Sequence, residues 1–256
     1  MPEWFLNRNG LTQTLIATLC TWGATALGAA LIFGVKSVRR ALFDGMMSFA
    51  GGIMLAAALF SLLLPAFEMA QPVQVCTGFM MGCGFMLLCD GICERHVHNR
   101  EAKEHRKILL IASITLHNIP EGLAVGVAFG SVQNAAQIGQ VAAACTLAAG
   151  IACQNLPEGF AVSAPLVREG MSKKKAFFFG QLSGMVEVIA GILGAELVVQ
   201  MRMLLPWMLS CSAGAMIYVV IAELIPESQR SGHKKWMTSC CMSGFAVMML
   251  LDTLLG

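Results

Sequence analysis

Eight stretches of about 20 residues or more run through this chain with few charges, at roughly 11–35, 45–67, 73–93, 108–130, 138–165, 176–200, 204–226 and 236–255. A helix of about 20 apolar residues matches the hydrocarbon thickness of a bilayer, and in lipid the backbone must satisfy its own amides. Together these constraints predict an all-α membrane protein of eight transmembrane helices. A soluble reading fails on composition. With 57% hydrophobic and 12% charged residues among 256, the chain holds more apolar surface than one water-soluble core encloses. No long linker or low-complexity tract interrupts the series, so a single membrane domain is expected over 1–256. The first ten residues, MPEWFLNRNG, lack a basic n-region, and the first span is expected to be retained rather than cleaved.

The basic residues supply orientation. Of 17 Lys and Arg, 15 fall in the connections between spans one and two, three and four, five and six, and seven and eight. By the positive-inside rule those connections are cytoplasmic. Both termini are then outside, and the expected location is the cell's inner or plasma membrane. A net charge of +2, spread over loops rather than gathered in a patch, excludes a nucleic-acid partner. Cysteines inside the apolar spans, among them Cys20, Cys83, Cys89, Cys145, Cys153 and Cys211, form no CxxC pair and read as small hydrophobes.

One motif is repeated. HNIPEGLAV at 117–125 returns as QNLPEGFAV at 154–162, with six identities in nine. A fainter echo pairs GIML…LLLP in span two (Gly52, Met54, Pro65) with GAMI…ELIP in span seven (Gly214, Met216, Pro226). Spans one to three and six to eight then read as related halves around spans four and five, a 3+2+3 arrangement. Three is odd, so the halves are inverted in the membrane, a design that places a substrate site near the midplane.

Four glutamates, Glu121, Glu158, Glu187 and Glu223, fall well inside predicted spans with no Lys or Arg in the same stretches. An ionised carboxylate at bilayer depth costs about 2.5–3.5 kcal/mol even on a lenient scale. The compensating charge must be a proton or a bound cation, and a divalent cation satisfies two carboxylates at once. His117 and Glu121 are four residues apart on one helical face, with Asn118 beside them. Gln154, Asn155 and Glu158 repeat the device. Pro120 and Pro157 each remove an amide donor from a helix in lipid, which implies a polar interior seam. Imidazole, carboxylate and amide together suit zinc, iron(II), manganese, cobalt or cadmium and fit copper(I) poorly. Met54 in span two is a candidate soft ligand. His96 and His98, in the connection after span three, form an HxH pair suited to catching exiting metal.

The paired [H/Q]NxPEG motif, with SGMVEVIAGILGAE (183–196) and AGAMIYVVIAELIPE (213–227), resembles the ZIP (Zrt/Irt-like) divalent metal transporters, especially the GufA-like branch. The similarity extends over essentially the whole chain. It implies a ZIP-like bundle that moves divalent metal toward the cytosol, as a homodimer in the lipid bilayer. It implies that His117, Asn118, Glu121, Gln154, Asn155, Glu158 and Glu187 form a binuclear site, and that Glu223 lies on the exit route. Metal is then cargo, and no organic cofactor is expected. Gln154 stands where many relatives carry His, so broad divalent specificity is expected. An intramembrane metallohydrolase would need three fixed ligands, an open water position and a base; no HExxH or comparable motif occurs. A carrier of organic cations would use carboxylates alone, and His117 with flanking amides argues for metal.

Overall fold

The computed structural model describes residues 3–34, 40–97, 102–132, 138–168, 170–229 and 232–255, and among the described residues no strand occurs. A single turn, Glu3–Leu6, precedes eight long helical runs. They are α1 (Gly10–Gly34), α2 (Arg40–Ala56, continued through Ala57–Leu63 and Leu64–Met69), α3 (Pro72–Val97) and α4 (Ala102–Gly130). The second half comprises α5 (Ile138–Arg168), α6 (Lys173–Gln200), α7 (Arg202–Leu204, Leu205–Val219, Val220–Leu224 and Ile225–Ser228) and α8 (Lys234–Leu255). Asn9 caps α1, its Oδ1 accepting the Thr12 amide at 2.8 Å. Gly170, at φ +90°, turns the chain out of α5; its amide reaches the Val167 carbonyl and the Met171 amide reaches Leu166, which satisfies carbonyls that the helix end leaves open. Helical geometry outruns the apolar stretch at the start of α6, where Lys173, Lys174 and Lys175 are exposed.

Among the described residues, six helices are long and apolar enough to cross a membrane: α1, α2, α3, α6, α7 and α8. The His, Gln, Asn and Glu of the repeated motif in α4 and α5 are sheltered in the interior. In α5 burial is nearly unbroken from Gln154 to Ala164. On the outside, Met80, Leu87, Leu250 and Leu254 are each more than half exposed, an apolar surface that only lipid covers without penalty.

The helices pair through glycines. A Cβ on Gly126 would run into the backbone of Gly191, and one on Gly122 into that of Glu187, which joins α4 to α6. The same device joins α1 to α5 (Gly28 and Gly159), α2 to α8 (Gly52 and Gly244) and α3 to α7 (Gly82 and Gly214). Small residues let backbones approach closely where burial from water supplies no drive. These pairs, with α1 against α6, make the most extensive packing in the molecule. Exchanging α1 with α6, α2 with α7, α3 with α8 and α4 with α5 maps each glycine pair onto another. The helix contacts therefore carry the 3+2+3 inverted repeat that the sequence only hints at.

The echo of span two in span seven has a structural counterpart. Both helices widen to π geometry just before a proline, at Ala57–Leu63 ahead of Pro65 and at Val220–Leu224 ahead of Pro226. The amide of Leu64 reaches back to Leu59, and that of Ile225 to Val220, five residues each. A proline ring crowds the carbonyl four residues earlier, and a local π turn relieves it. Two helix groups result: α1, α4, α5 and α6 on one side, α2, α3, α7 and α8 on the other. They meet along α2 with α5 and α4 with α7.

Candidate metal site

The six motif residues and Glu187 converge where α4, α5 and α6 pack. His117, Asn118, Glu121, Gln154, Asn155, Glu158 and Glu187 are each at most 4% exposed. Both motif helices continue through their prolines, and Pro120 supplies no amide to the Leu116 carbonyl one turn back. Gly122 lets the Glu187 backbone approach α4, so that Glu187 shares the interior with Glu121.

A connected polar web holds these side chains. Gln154 Nε2 donates to Glu121 Oε1 at 2.5 Å, which ties α5 to α4. Asn155 Nδ2 lies 2.7 and 2.9 Å from the two Glu187 oxygens and 3.2 Å from the Thr21 carbonyl, joining α5 to α6 and α1. Asn118 Nδ2 donates to the Ser183 carbonyl at 2.8 Å. Each amide thus spends its donor on a neighbour and turns its oxygen away. Asn118 Oδ1, Glu121 Oε2, Gln154 Oε1, Asn155 Oδ1 and Glu158 Oε2 accept no hydrogen bond from the protein. Leaving a buried acceptor unsatisfied costs on the order of 1–3 kcal/mol. All five are oxygens, and Glu121 also feels the repulsion of both Glu158 and Glu187. No Lys or Arg occurs between 108 and 167 or between 176 and 201 to neutralise them. The arrangement is suited to a cation.

Among the described residues, no three His, Cys, Asp or Glu side chains close around one point as a structural metal centre would. Carboxylates alternate with amides instead, a donor set of hard oxygens and one imidazole nitrogen. Such a set suits hard to borderline divalent ions without caging them.

Glu223 extends the cluster. It sits in the π segment of α7, and its Oε1 lies 2.9 Å from His117 Nε2. The His117 side chain is 5% exposed and that of Glu223 is 32% exposed, so the pair runs from the buried interior toward a more open rim. It also bridges the two helix groups. Met54 is fully buried in the apolar cluster of α2. His98 lies outside the described residues, and His96 is described only by its helical backbone at the end of α3.

Two contributors escape a reading of the sequence. Thr14, Thr18, Thr21 and Thr25 line a buried face of α1, and the Thr25 hydroxyl lies 3.5 Å from Glu187 Oε1. Their spacing at i, i+4, i+7 and i+11 is the available signal. It is muted because Thr14, Thr18 and Thr25 also return their hydroxyls to carbonyls one turn back. The Ser183 carbonyl is main chain and leaves no mark in sequence.

Known proteins share this chain's pattern. The family model described as ZIP Zinc transporter matches residues 93–252. Zinc transporter ZIP11 of Xenopus tropicalis is 37% identical over 95% of this chain and 97% of its own length. Zinc transporter ZIPB of Bordetella bronchiseptica is 34% identical over 98% of this chain and 84% of its own, and zinc transporter GufA of Myxococcus xanthus is 32% identical over 94% and 98%. Each of these relatives is named for transport rather than for a reaction. Buried acidic helices, the doubled motif and these likenesses agree: the chain belongs to the ZIP family of zinc transporters.

Proposed function

We propose that the chain carries zinc, and with it other divalent ions such as iron(II), manganese, cobalt or cadmium, toward the cytosol by alternating access. One observation carries this reading: carboxylate and amide oxygens are buried together, with the amide donors already spent and no Lys or Arg in the spans that carry them. Two ions share Glu121 and Glu158. His117, Asn118, Gln154, Asn155 and Glu187 complete their coordination. Metal is the cargo, and no organic cofactor takes part. Glu223, touching His117 from the other helix group, receives the ion as it leaves.

The division into α1, α4, α5, α6 and α2, α3, α7, α8 supports movement of one group against the other, since the motif residues and Glu187 all ride on the first. The concentration of basic residues on one set of connections supports outward termini and a cytoplasmic connection between α3 and α4. A homodimer is the proposed assembly.

Radioactive zinc flux into vesicles reconstituted with purified protein, run with competing divalent ions and with organic cations, tests the reading. Zinc uptake that cadmium and iron(II) inhibit is the expected result. Movement of an organic cation without binding or transport of any divalent ion would overturn it.

A further inference from the structure

Helices α4 and α6 run in the same direction, in a fixed register shown by Gly122 against Glu187, Gly126 against Gly191 and Gly130 against Ala195. Over that half the two backbones touch. Toward their N-terminal ends no such glycine register continues. Ile111 and Thr115 of α4 there face Phe179, Leu182, Val186 and Ile189 of α6 across an open groove of about 270 Å³ whose lining is almost wholly apolar. Leu182 is 38% exposed and Ile189 58% exposed, so the groove opens to the surroundings of the helices, away from the buried acidic web.

Its length and its charged end define the occupant. From Phe179 to Ile189 a helix rises about 15 Å, one leaflet of a hydrocarbon core about 30 Å thick. Lys175 is one turn before Phe179 on the same face, about 6 Å farther along the axis, at headgroup depth. Lys173, Lys174 and Lys175 are all exposed there, at the N-terminal end of α6. The end of the groove at headgroup depth is thus positive, through three ammonium groups and the aligned peptide dipoles.

We propose that this groove and the lysine triplet form a binding site for an anionic phospholipid, with one acyl chain seated between α4 and α6 and the phosphate at Lys173–Lys175. The back wall of the groove includes Ser183, whose carbonyl holds Asn118 of the metal site. A seated chain braces that contact from the lipid side.

The test is lipid retention, which does not depend on whether the chain moves metal. Protein is taken from vesicles of equal phosphatidylcholine and phosphatidylglycerol, washed in detergent, and its retained lipid quantified by mass spectrometry. The expected result is about one phospholipid per chain, with retained phosphatidylglycerol outnumbering phosphatidylcholine at least fivefold. Replacing Lys173, Lys174 and Lys175 together by Gln removes the enrichment. Val186→Trp, which fills the groove from a lipid-facing helix, removes the retained lipid itself. Lys234→Gln with Lys235→Gln, at the head of α8, leaves both unchanged. Retention without preference for the anionic lipid, or enrichment that survives the triple substitution, overturns the headgroup assignment. Full retention in Val186→Trp overturns the groove, as does a changed oligomeric state in that variant with lipid unaltered, which would assign the face to a second copy.

Discussion

The two copies of the repeated motif have the same spacing but different partners. In α4, His117 reaches across to Glu223 on α7, and Asn118 donates to a main-chain carbonyl of α6. In α5, Gln154 donates to Glu121, and Asn155 donates to the Glu187 carboxylate. The first copy links the two helix groups; the second closes the acidic web within one of them. Identical spacing sets where each side chain projects, while the helix on the far side decides what it meets. Duplication thus gives two carboxylates the same place in the motif, and the exchange of His for Gln at its head gives the copies different partners.

The largest effect is expected where the copies are equivalent. If Glu121 and Glu158 share ions, Glu121→Ala and Glu158→Ala each lower zinc flux by roughly 100-fold or more, beyond the 10–100-fold that outer-sphere partners of metal ligands command. Expression and elution volume stay unchanged. In metal-free detergent, Glu121→Gln melts no lower than the parent, because it removes one of three mutually repelling buried acids. Wild-type flux in either alanine variant sinks the shared site.

Glu187 sharpens the comparison, since of the two copies it is the second that donates to its carboxylate. Glu187→Gln is expected to keep the Asn155 contact through its carbonyl oxygen while giving up the charge, and zinc bound per chain falls from two to one. Flux drops by a fewfold and selectivity shifts without disappearing. Two bound ions in that variant contradict the assignment. A smaller change follows from making the copies alike. Gln154→His adds an imidazole, which zinc prefers to an amide, and zinc affinity measured by competition rises by about tenfold relative to manganese. An unchanged ratio means that position 154 does not face the ion.

Much of this was legible because lipid is a severe solvent. Long apolar runs admit one secondary structure, and buried glutamates without lysines admit few guests, so the eight helices and the acidic residues stand out in the sequence. Pro65 and Pro226 mark where α2 and α7 change pitch, yet nothing in their neighbours tells a π turn from a kink. Helix pairing was less accessible. Gly52 and Gly244 are ordinary glycines until α2 and α8 are seen to touch through them. The position of Glu223 was the least legible. Sequence sets it on a path, but only the folded α7 brings it within 2.9 Å of His117, a residue 106 positions away.

The smallest expected effect concerns protons, and the first copy adds an imidazole to the carboxylates that both copies expose to it. Metal binding needs His117 neutral and the carboxylates ionised, so protons compete with metal at every ligand that titrates. Of the two leading ligands, the His117 imidazole can take up a proton and the Gln154 amide cannot. Lowering pH from about 7.5 to about 5.5 should therefore slow uptake by a fewfold at subsaturating zinc. Saturating zinc should abolish the loss, because mass action then favours the metal. A protonated His117 also strengthens its contact with Glu223, so acid holds the two helix groups together while it repels the ion. His117→Gln makes the leading ligands of both copies amides and should weaken the pH dependence, leaving the carboxylate contribution. If that variant retains the parental pH dependence, protons do not compete with metal at His117, and the two motif copies differ in contacts but not in function.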